Sequence, residues 1–166
     1  HEFVSPKGLS WQLCEYGREK LRLHWASGYD MNALYIIVSD SSDIDSSLLQ
    51  SPISSVQVKI EPKRLFPCKR FVFTQEPDKQ KGVGELRGKK ESGIWRTIVR
   101  IPFERIGLNG KTPDPIRLDV RVQKKMGGTS AWRPNNPVTS RLILGTDNPA
   151  DLGWLIFDET PLVTGL

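Results

Sequence analysis

The stretch "PIRLDVRVQ", at positions 115–123, alternates apolar and polar side chains without interruption. Successive side chains of a β-strand point to opposite faces, so this alternation predicts a strand with one buried face and one face in water. The apolar positions are Ile116, Leu118, Val120 and Val122, and the polar positions are Arg117, Asp119, Arg121 and Gln123. A chain built around such a strand has to form a sheet that is covered on one side.

The same two-residue period recurs along the chain. It is present in "KLRLHW", "SSVQVKIEP", "RFVFTQEP" and "GIWRTIVRIP", and further strand-like runs are "SRLILG" and "LGWLIFDE". The run "ALYIIVSD" is almost continuously apolar, which predicts a central strand buried on both faces, and the turn "SGYDMN" is expected to join it to "KLRLHW" in a hairpin. Helix signals are confined to "DIDSSLLQS" and to one turn in "FERIGLNG".

These patterns predict an all-β fold. Roughly eight or nine short strands, separated by Gly, Pro and Asn turns without long helices, are typical of an antiparallel β-sandwich of the jelly-roll or immunoglobulin-like kind. A chain of 166 residues is long enough for one such domain with a core of its own. We expect this single domain to span residues 4–166, because "HEF" at residues 1–3 matches a cloning remnant.

The charge balance raises the question of a polyanionic partner. The formal net charge is +5, from 24 Lys and Arg against 19 Asp and Glu, so nucleic acid and acidic polysaccharide both have to be considered. The densest basic stretches, "KQKGVGELRGKK" and "RVQKK", are interrupted by glycine, acidic or apolar residues. This spacing favours solvated loops over a nucleic-acid-binding stripe, and no apolar run approaches the ~20 residues of a membrane-spanning helix.

Catalytic patterns are weak. A serine or cysteine hydrolase needs a histidine base beside its nucleophile, and His24, the one histidine after residue 1, lies in an alternating strand with no nucleophile motif near it. The acidic residues fall singly at strand ends or on polar faces, so no glycosidase pair is indicated. We therefore expect a protein without catalytic activity and without a cofactor.

Two local features leave alternatives open. Asp40, Asp43 and Asp45 in "SDSSDID" could offer oxygen ligands to calcium, although a solvated acidic turn is the stronger interpretation. Cys14 and Cys68 fit either one disulfide that closes a long loop or two independent thiols.

Several landmarks occur in a familiar order. They are "ALYIIVSDSS", "RIPFERIGL", "IRLDVRVQ", "SAWRP" and "ADLGWLIF". In this order, over approximately residues 21–157, the chain resembles the family 9 carbohydrate-binding modules and their DOMON-like relatives. The resemblance implies a β-sandwich that binds sugars without catalysis and is attached to an extracellular or periplasmic polysaccharide-processing protein. One position departs from it, because Ile98 stands where the family commonly has a glutamate.

The loop "MGGTSAWRPNNPV" carries the predicted ligand site. Trp132 has little apolar sequence around it, and a flat aromatic ring is the platform that the C–H face of a sugar needs. Planar polar side chains beside the ring, and others on the preceding strand, suit sugar hydroxyls. The predicted ligand-binding residues are Trp132, Arg133, Asn135, Asn136, Arg121 and Gln123.

An alternative remains for Trp132, whose ring could instead be a plug that anchors the loop to the core. Trp25, Trp95 and Trp154 have strand-like apolar neighbours and are expected to pack in the core or on a sheet face.

The sequence thus predicts a non-catalytic carbohydrate-binding module of a larger, extracellular or periplasmic protein. Its partners would be carbohydrate, with acidic polysaccharide included, and the neighbouring domains of the parent chain, with neither nucleic acid nor a membrane span. The alternative is a structural β-sandwich module without a ligand site that packs against a neighbouring domain.

Overall fold

The computed structural model describes residues 11–14, 16–17, 23–41, 53–61, 69–74, 85–92, 94–108, 115–125, 128–133 and 152–157. These residues contain eleven strands and a single helical turn. The strands are β1 (Gln12–Leu13), β2 (Tyr16–Gly17), β3 (Leu23–Tyr29), β4 (Ala33–Asp40), β5 (Ile53–Glu61), β6 (Lys69–Thr74), β7 (Glu85–Glu91), β8 (Ile94–Pro102), β9 (Ile116–Lys124), β10 (Thr129–Ala131) and β11 (Gly153–Leu155). The helical turn α1 (Phe103–Ile106) follows β8.

The strands pair into two antiparallel sheets. The first sheet has the order β1-β3-β4-β8-β7, and the second has the order β2-β10-β9-β5-β6. Strand β11 also pairs with β9, opposite residues 116–118, whereas β10 pairs with residues 121–123. The predicted all-β, antiparallel sandwich is confirmed.

The core lies between the two sheets, and its members come from both of them. The first sheet contributes Leu34, Ile36, Val38, Val99 and Ile101, and the second contributes Val56, Val58, Ile60, Leu118, Val120 and Val122, all fully buried. Removing each such side chain from water stabilises the fold by about 1.5–3 kcal/mol. The alternating strands therefore have the predicted orientation, because each contributes one apolar face to a shared interior.

The two strands with the clearest sequence patterns are confirmed. Strand β9 buries Ile116, Leu118, Val120 and Val122 in the core, as its alternation predicts. Strand β4 is buried along almost its whole length, in agreement with a central strand covered on both faces. In the first sheet it lies between β3 and β8.

The hairpin between β3 and β4 is present, but its turn is shorter than "SGYDMN" suggests. Strand β3 continues to Tyr29, and the turn occupies only residues 30–32. The Asp30 carboxylate explains this, since its Oδ1 accepts hydrogen bonds from the backbone N–H groups of Asn32 and Ala33 at 2.7 and 2.8 Å. Its Oδ2 accepts a hydrogen bond from the Tyr35 hydroxyl at 2.7 Å, which ties the turn to β4.

A correction concerns "KQKGVGELRGKK", which the sequence indicated to be a solvated loop. Its second half is strand β7, which pairs with β8 along residues 94–100. The residues are charged and include Gly88, so their own propensity does not favour a strand. The pairing with β8, an amphipathic strand already in the sheet, supplies the structure that the local sequence lacks.

The helical turn predicted in "FERIGLNG" is present directly after β8. Helical turn α1 buries Phe103 and Ile106 and ends at Gly107, whose φ of 71° is the left-handed conformation that favours glycine. The predicted helix in "DIDSSLLQS" and the predicted strand "SRLILG" lie outside the described residues.

No helix among the described residues is long and apolar enough to cross a membrane.

Candidate functional site

The outward side of the second sheet carries the polar residues of the β9 pattern. Across the β5–β9 ladder, Gln57 pairs with Arg121, Lys59 with Asp119 and Glu61 with Arg117. Cross-strand partners share one face of a sheet, and the opposite face of these strands lines the core. We call this surface the polar face. Its members on the paired strands are Gln57, Lys59, Glu61, Arg70, Val72, Arg117, Asp119, Arg121, Gln123 and Trp154.

Asp119 organises the centre of the polar face. Its Oδ2 accepts a hydrogen bond and ion pair from Arg121 Nε at 2.9 Å, and its Oδ1 accepts the backbone N–H of Arg133 at 2.9 Å. One carboxylate therefore fixes two of the predicted ligand-binding residues. It joins the strand residue Arg121 to the start of the "WRPNNP" segment.

The Asp119 carboxylate is only 1% exposed, and burial raises its pKa above the ordinary value. The hydrogen bond from the Arg133 N–H and the charge of Arg121 act in the opposite direction, as does the charge of Lys59. Desolvation is the largest of these effects. Asp119 is thus a buried support beneath the polar face, and its partners reach the surface.

Gln123 lies at the end of the polar face, where its side chain is held by the protein. Its carboxamide oxygen accepts a hydrogen bond from the Thr129 hydroxyl, and its Nε2 donates to the Lys124 carbonyl at 3.3 Å. Because both ends of the carboxamide are engaged, Gln123 can border a ligand but has less hydrogen-bonding capacity to offer than its sequence position suggests.

Trp132 points toward the interior. Its backbone N–H donates to the Val120 carbonyl at 2.9 Å, which continues the β10–β9 register by one residue. Its ring lies edge-on to the buried Trp25 of the first sheet, with 4.8 Å between ring centroids and 64° between planes. Trp132 is partly buried and packs against the core cluster.

A glycine makes room for the Trp132 ring. A Cβ atom built on Gly153 in β11 would overlap the outer atoms of the indole, Cη2 and Cζ3. Gly153 pairs with Leu118 of β9 in the ladder. The ring therefore extends from the end of β10 across to β11, so it closes the interior between two strands that share the same edge of β9.

Trp154 is the outward-facing tryptophan of the same region. It pairs with Arg117 across the β9–β11 ladder, is 46% exposed, and has the Arg117 guanidinium 4.6 Å from its ring centroid. The sequence indicated packing in the core or on a sheet face for this residue, and the structure places it on the polar face. The other two tryptophans of that group, Trp25 and Trp95, are buried as expected.

The structure brings together part of the predicted site. Arg121 and Arg133 meet at Asp119, Gln123 lies two residues further along β9, and Trp132 starts the segment that continues to Arg133. Asn135 and Asn136 lie outside the described residues. The participation of all six residues in ligand binding stays a prediction.

Sequence reasoning missed Trp154 as a surface aromatic. The available signal was the alternation of "GWLI", in which Gly153 and Leu155 share one side and Trp154 and Ile156 the other. Ile156 is also exposed. The missing information was which side faced water, because a glycine gives no hydrophobic indication of its face.

The described acidic residues form no metal site. No group of three or more His, Cys, Asp or Glu side chains suited to a metal occurs in the described part of the chain. Asp40, the one described member of the candidate calcium loop, is fully buried, with its Oδ2 3.0 Å from Lys124 Nζ. Asp43 and Asp45 lie outside the described residues, so the solvated acidic turn, with calcium as the alternative, stays a prediction.

Cys14 is a free, fully buried thiol, and Cys68 lies outside the described residues. Burial raises the pKa of Cys14 to about 12, and the negative charge of Asp119 adds to the increase. Since the thiolate is the reactive form, this cysteine is an inert member of the core near neutral pH.

Comparison with known structures identifies the architecture. The chain is similar to a carbohydrate-binding module of family 9 from Caldicellulosiruptor kristjanssonii in complex with glucose, at 14% identity and a TM-score of 0.60, over 96% of this chain and 94% of that one. It is also similar to a family 9 module of the same organism in complex with cellotriose, at 13% identity and a TM-score of 0.54, over 93% and 89% of the two chains. The fold is therefore that of a family 9 carbohydrate-binding module, as the resemblance implies.

No protein-family model matches the chain, and no curated protein sequence matches it.

Proposed function

We propose that this protein is a non-catalytic carbohydrate-binding domain whose ligand lies across the polar face. The observation that carries the proposal is the exposed Trp154 ring on the same sheet face as Arg117 and Arg121. An aromatic platform beside planar polar groups is the arrangement that sugar recognition requires. The fold of two sugar-bound modules supports this interpretation.

The two tryptophans take different roles in this proposal. Trp154 supplies the platform, because nearly half of its surface is open to solvent. Trp132 packs inward against Trp25 and Gly153, so it supports the backbone next to Arg133 rather than offering its ring to the ligand. Arg121 and Arg133, fixed by Asp119, supply donors to hydroxyl or carboxylate oxygens of the ligand.

The wider context follows from the same proposal. A domain that binds glycan without transforming it is useful when attached to a protein that processes polysaccharide, outside the cell or in the periplasm. Neutral and acidic polysaccharides are both within the proposed ligand class, since sugar hydroxyls and carboxylates both accept hydrogen bonds from guanidinium groups.

A structural module that packs against a neighbouring domain is the second candidate. It is favoured by Ile156, which is 75% exposed and lies two residues after the exposed Trp154. An exposed aromatic and aliphatic pair also suits a protein interface. The two candidates differ in what they bind, so a glycan-binding measurement separates them.

Affinity electrophoresis in gels that contain soluble polysaccharides tests the proposal. We expect at least one neutral or acidic polysaccharide to retard the wild-type protein. Trp154→Ala should abolish the retardation, while Trp11→Ala, which removes an exposed tryptophan beside β1 in the first sheet, should leave it intact. Trp132→Ala, at a temperature where the variant is folded, tests whether that ring also contacts the ligand.

Absence of retardation in every polysaccharide would overturn the proposal and favour the structural module. Equal loss of binding in Trp154→Ala and Trp11→Ala would show that the polar face is not the binding site.

A further inference from the structure

Charge and exposure are distributed unevenly on the polar face. Its two carboxylates, Glu61 and Asp119, are each only 1% exposed. Its arginines retain accessible surface, with Arg70 exposed and Arg117 and Arg121 partly exposed. The described ionised groups that a ligand would meet on this face are therefore basic, although the face contains both signs of charge.

Arg133 adds a fourth guanidinium at the border of this face. Its backbone N–H is fixed on Asp119, and its guanidinium carbon lies 5.9 Å from the Trp132 ring centroid. Its Nε has no hydrogen-bond partner among the described residues. The positive character of the polar face thus continues from β9 into the segment that follows β10.

Arg117 and Trp154 form a unit at one end of the face. The guanidinium carbon lies 4.6 Å from the centroid of the indole ring, in a cation–π contact. The Nε of Arg117 is buried and has no hydrogen-bond partner in the described part of the chain, so the terminal nitrogens of the guanidinium are the donors that can reach a ligand. Stacking on the ring orients the guanidinium, and the Trp154 side chain is 46% exposed beside it.

This geometry fits one class of sugar better than a neutral one. A guanidinium presents a planar fork of donors that matches a carboxylate in a bidentate manner, and such charge-assisted hydrogen bonds are roughly twice as strong as neutral ones. A uronic acid unit carries both an apolar C–H face for an indole and a carboxylate for the guanidinium beside it. A neutral hexose carries an uncharged hydroxymethyl group where the uronic acid carries its carboxylate.

We propose that the polar face selects an acidic polysaccharide and binds the carboxylate of a uronic acid unit at Arg117, beside the Trp154 platform. The inference rests on the proposed function and names its ligand class. Arg121 lies four residues from Arg117 on the same side of β9, about 13 Å along the strand. It can meet a second carboxylate of the same chain.

Nucleic acid is a less suitable polyanion for this surface. Binding of single strands uses several aromatic platforms for successive bases along a basic groove. The described members of the polar face include one exposed aromatic side chain, Trp154. A single-stranded oligonucleotide is accordingly measured as a comparison ligand.

The test uses polysaccharides that differ only in charge. Polygalacturonate, alginate and glucuronoxylan are each compared with their carboxyl-reduced forms, in which the carboxylate has become a neutral primary alcohol. Isothermal titration calorimetry should show binding of at least one native polymer and a roughly tenfold or greater loss of affinity on reduction. The affinity should also fall as the salt concentration rises.

Matched variants assign the effect to Arg117. Arg117→Gln should remove most of the preference for the native polymer, and Arg117→Lys should restore only part of it, because lysine keeps the charge without the fork. Arg105→Gln removes the same charge from the exposed side chain of α1 and should leave the preference unchanged.

The outcomes separate this inference from the proposed function. Equal affinity for native and reduced polymers, or binding of neutral glucans alone, would overturn the acidic ligand while keeping carbohydrate binding. A preference that persists in Arg117→Gln, or tighter binding of a single-stranded oligonucleotide than of every polymer, would also overturn it. Absence of binding to all glycans would overturn both.

Discussion

Trp132 and Trp154 lie on opposite sides of the same sheet, and their surroundings give the same side chain two different roles. Trp132 turns inward, with its edge against Trp25 and its outer atoms over Gly153. Trp154, the next residue after Gly153, turns outward and stacks with Arg117.

The role of each tryptophan is decided by its partner across the ladder more than by its neighbours in sequence. Polar residues surround Trp132 in the sequence, yet its backbone joins Val120 and its ring enters the core. Apolar residues surround Trp154, yet it lies opposite an arginine. The inner side of the sheet should therefore control stability, and the outer side ligand binding.

The largest expected loss of stability is on the inner side of the sheet, at the ion pair between Asp40 and Lys124. Asp40→Ala leaves the Lys124 ammonium buried without the carboxylate 3.0 Å away. We expect the free energy of unfolding to fall by about 3–5 kcal/mol, measured by urea denaturation. The double variant Asp40→Ala with Lys124→Met should recover most of the loss, and failure to do so would mean that the pair is not the cause.

The contact between Trp132 and Gly153 should have the next largest effect. Trp132→Ala should cost about 3 kcal/mol, because it opens a cavity beside Trp25. Gly153→Ala should cost about 1–3 kcal/mol, since its Cβ would overlap the indole. Both changes are measured by urea denaturation.

The double variant Trp132→Ala with Gly153→Ala tests the contact itself. With Trp132 reduced to alanine, the new methyl group at position 153 no longer meets the ring. The combined loss should therefore be smaller than the sum of the two single losses. Additive losses would place the ring elsewhere.

A smaller contribution to stability is expected from Asp119, which lies on the polar face but is buried. Burial raises its folded-state pKa above 3.8, so the folded protein holds this proton more tightly than the unfolded chain. The associated stability is present below the ordinary pKa and is lost as the pH rises through the raised value.

The unfolding free energy of the wild type minus that of Asp119→Asn isolates this contribution. It should decrease as the pH increases from below 3.8, which is opposite to the behaviour of a surface carboxylate paired with arginine. A difference that rises with pH would show that Arg121 and the Arg133 N–H outweigh desolvation.

The smallest expected change in stability is at Trp154. Trp154→Ala should alter the free energy of unfolding by less than about 1 kcal/mol, because the side chain is 46% exposed and contacts Arg117 at the surface. A loss comparable to that of Trp132→Ala would remove the contrast between the two sides of the sheet.

The sequence predicts the parts of the fold whose cause is local. Strands β4 and β9 follow from their own patterns, and the α1 turn follows from the glycine at its end. Strand β7 could not be predicted, because its charged residues form a strand only through pairing with β8.

The site, too, could be predicted from the sequence only where its cause is local. The polar side of β9 was evident from its alternation, and Arg121 and Gln123 lie there. The inward direction of Trp132 depends on Val120 and on Gly153, which are distant in sequence from each other. The Asp40–Lys124 ion pair likewise joins two strands of different sheets. Such placements follow from register and packing, which a single sequence does not encode locally.

Whether the ligand lies on the polar face can be measured directly by a backbone and side-chain NMR titration of the protein with the polysaccharide that binds best, supplied as a short oligomer. We expect shift changes to concentrate on the polar face, at Arg117, Arg121 and the Trp154 indole, while the outward side of the first sheet and the Trp11 indole remain unchanged. Shift changes confined to the first sheet, or a Trp154 indole that does not respond at saturation, would contradict this expectation.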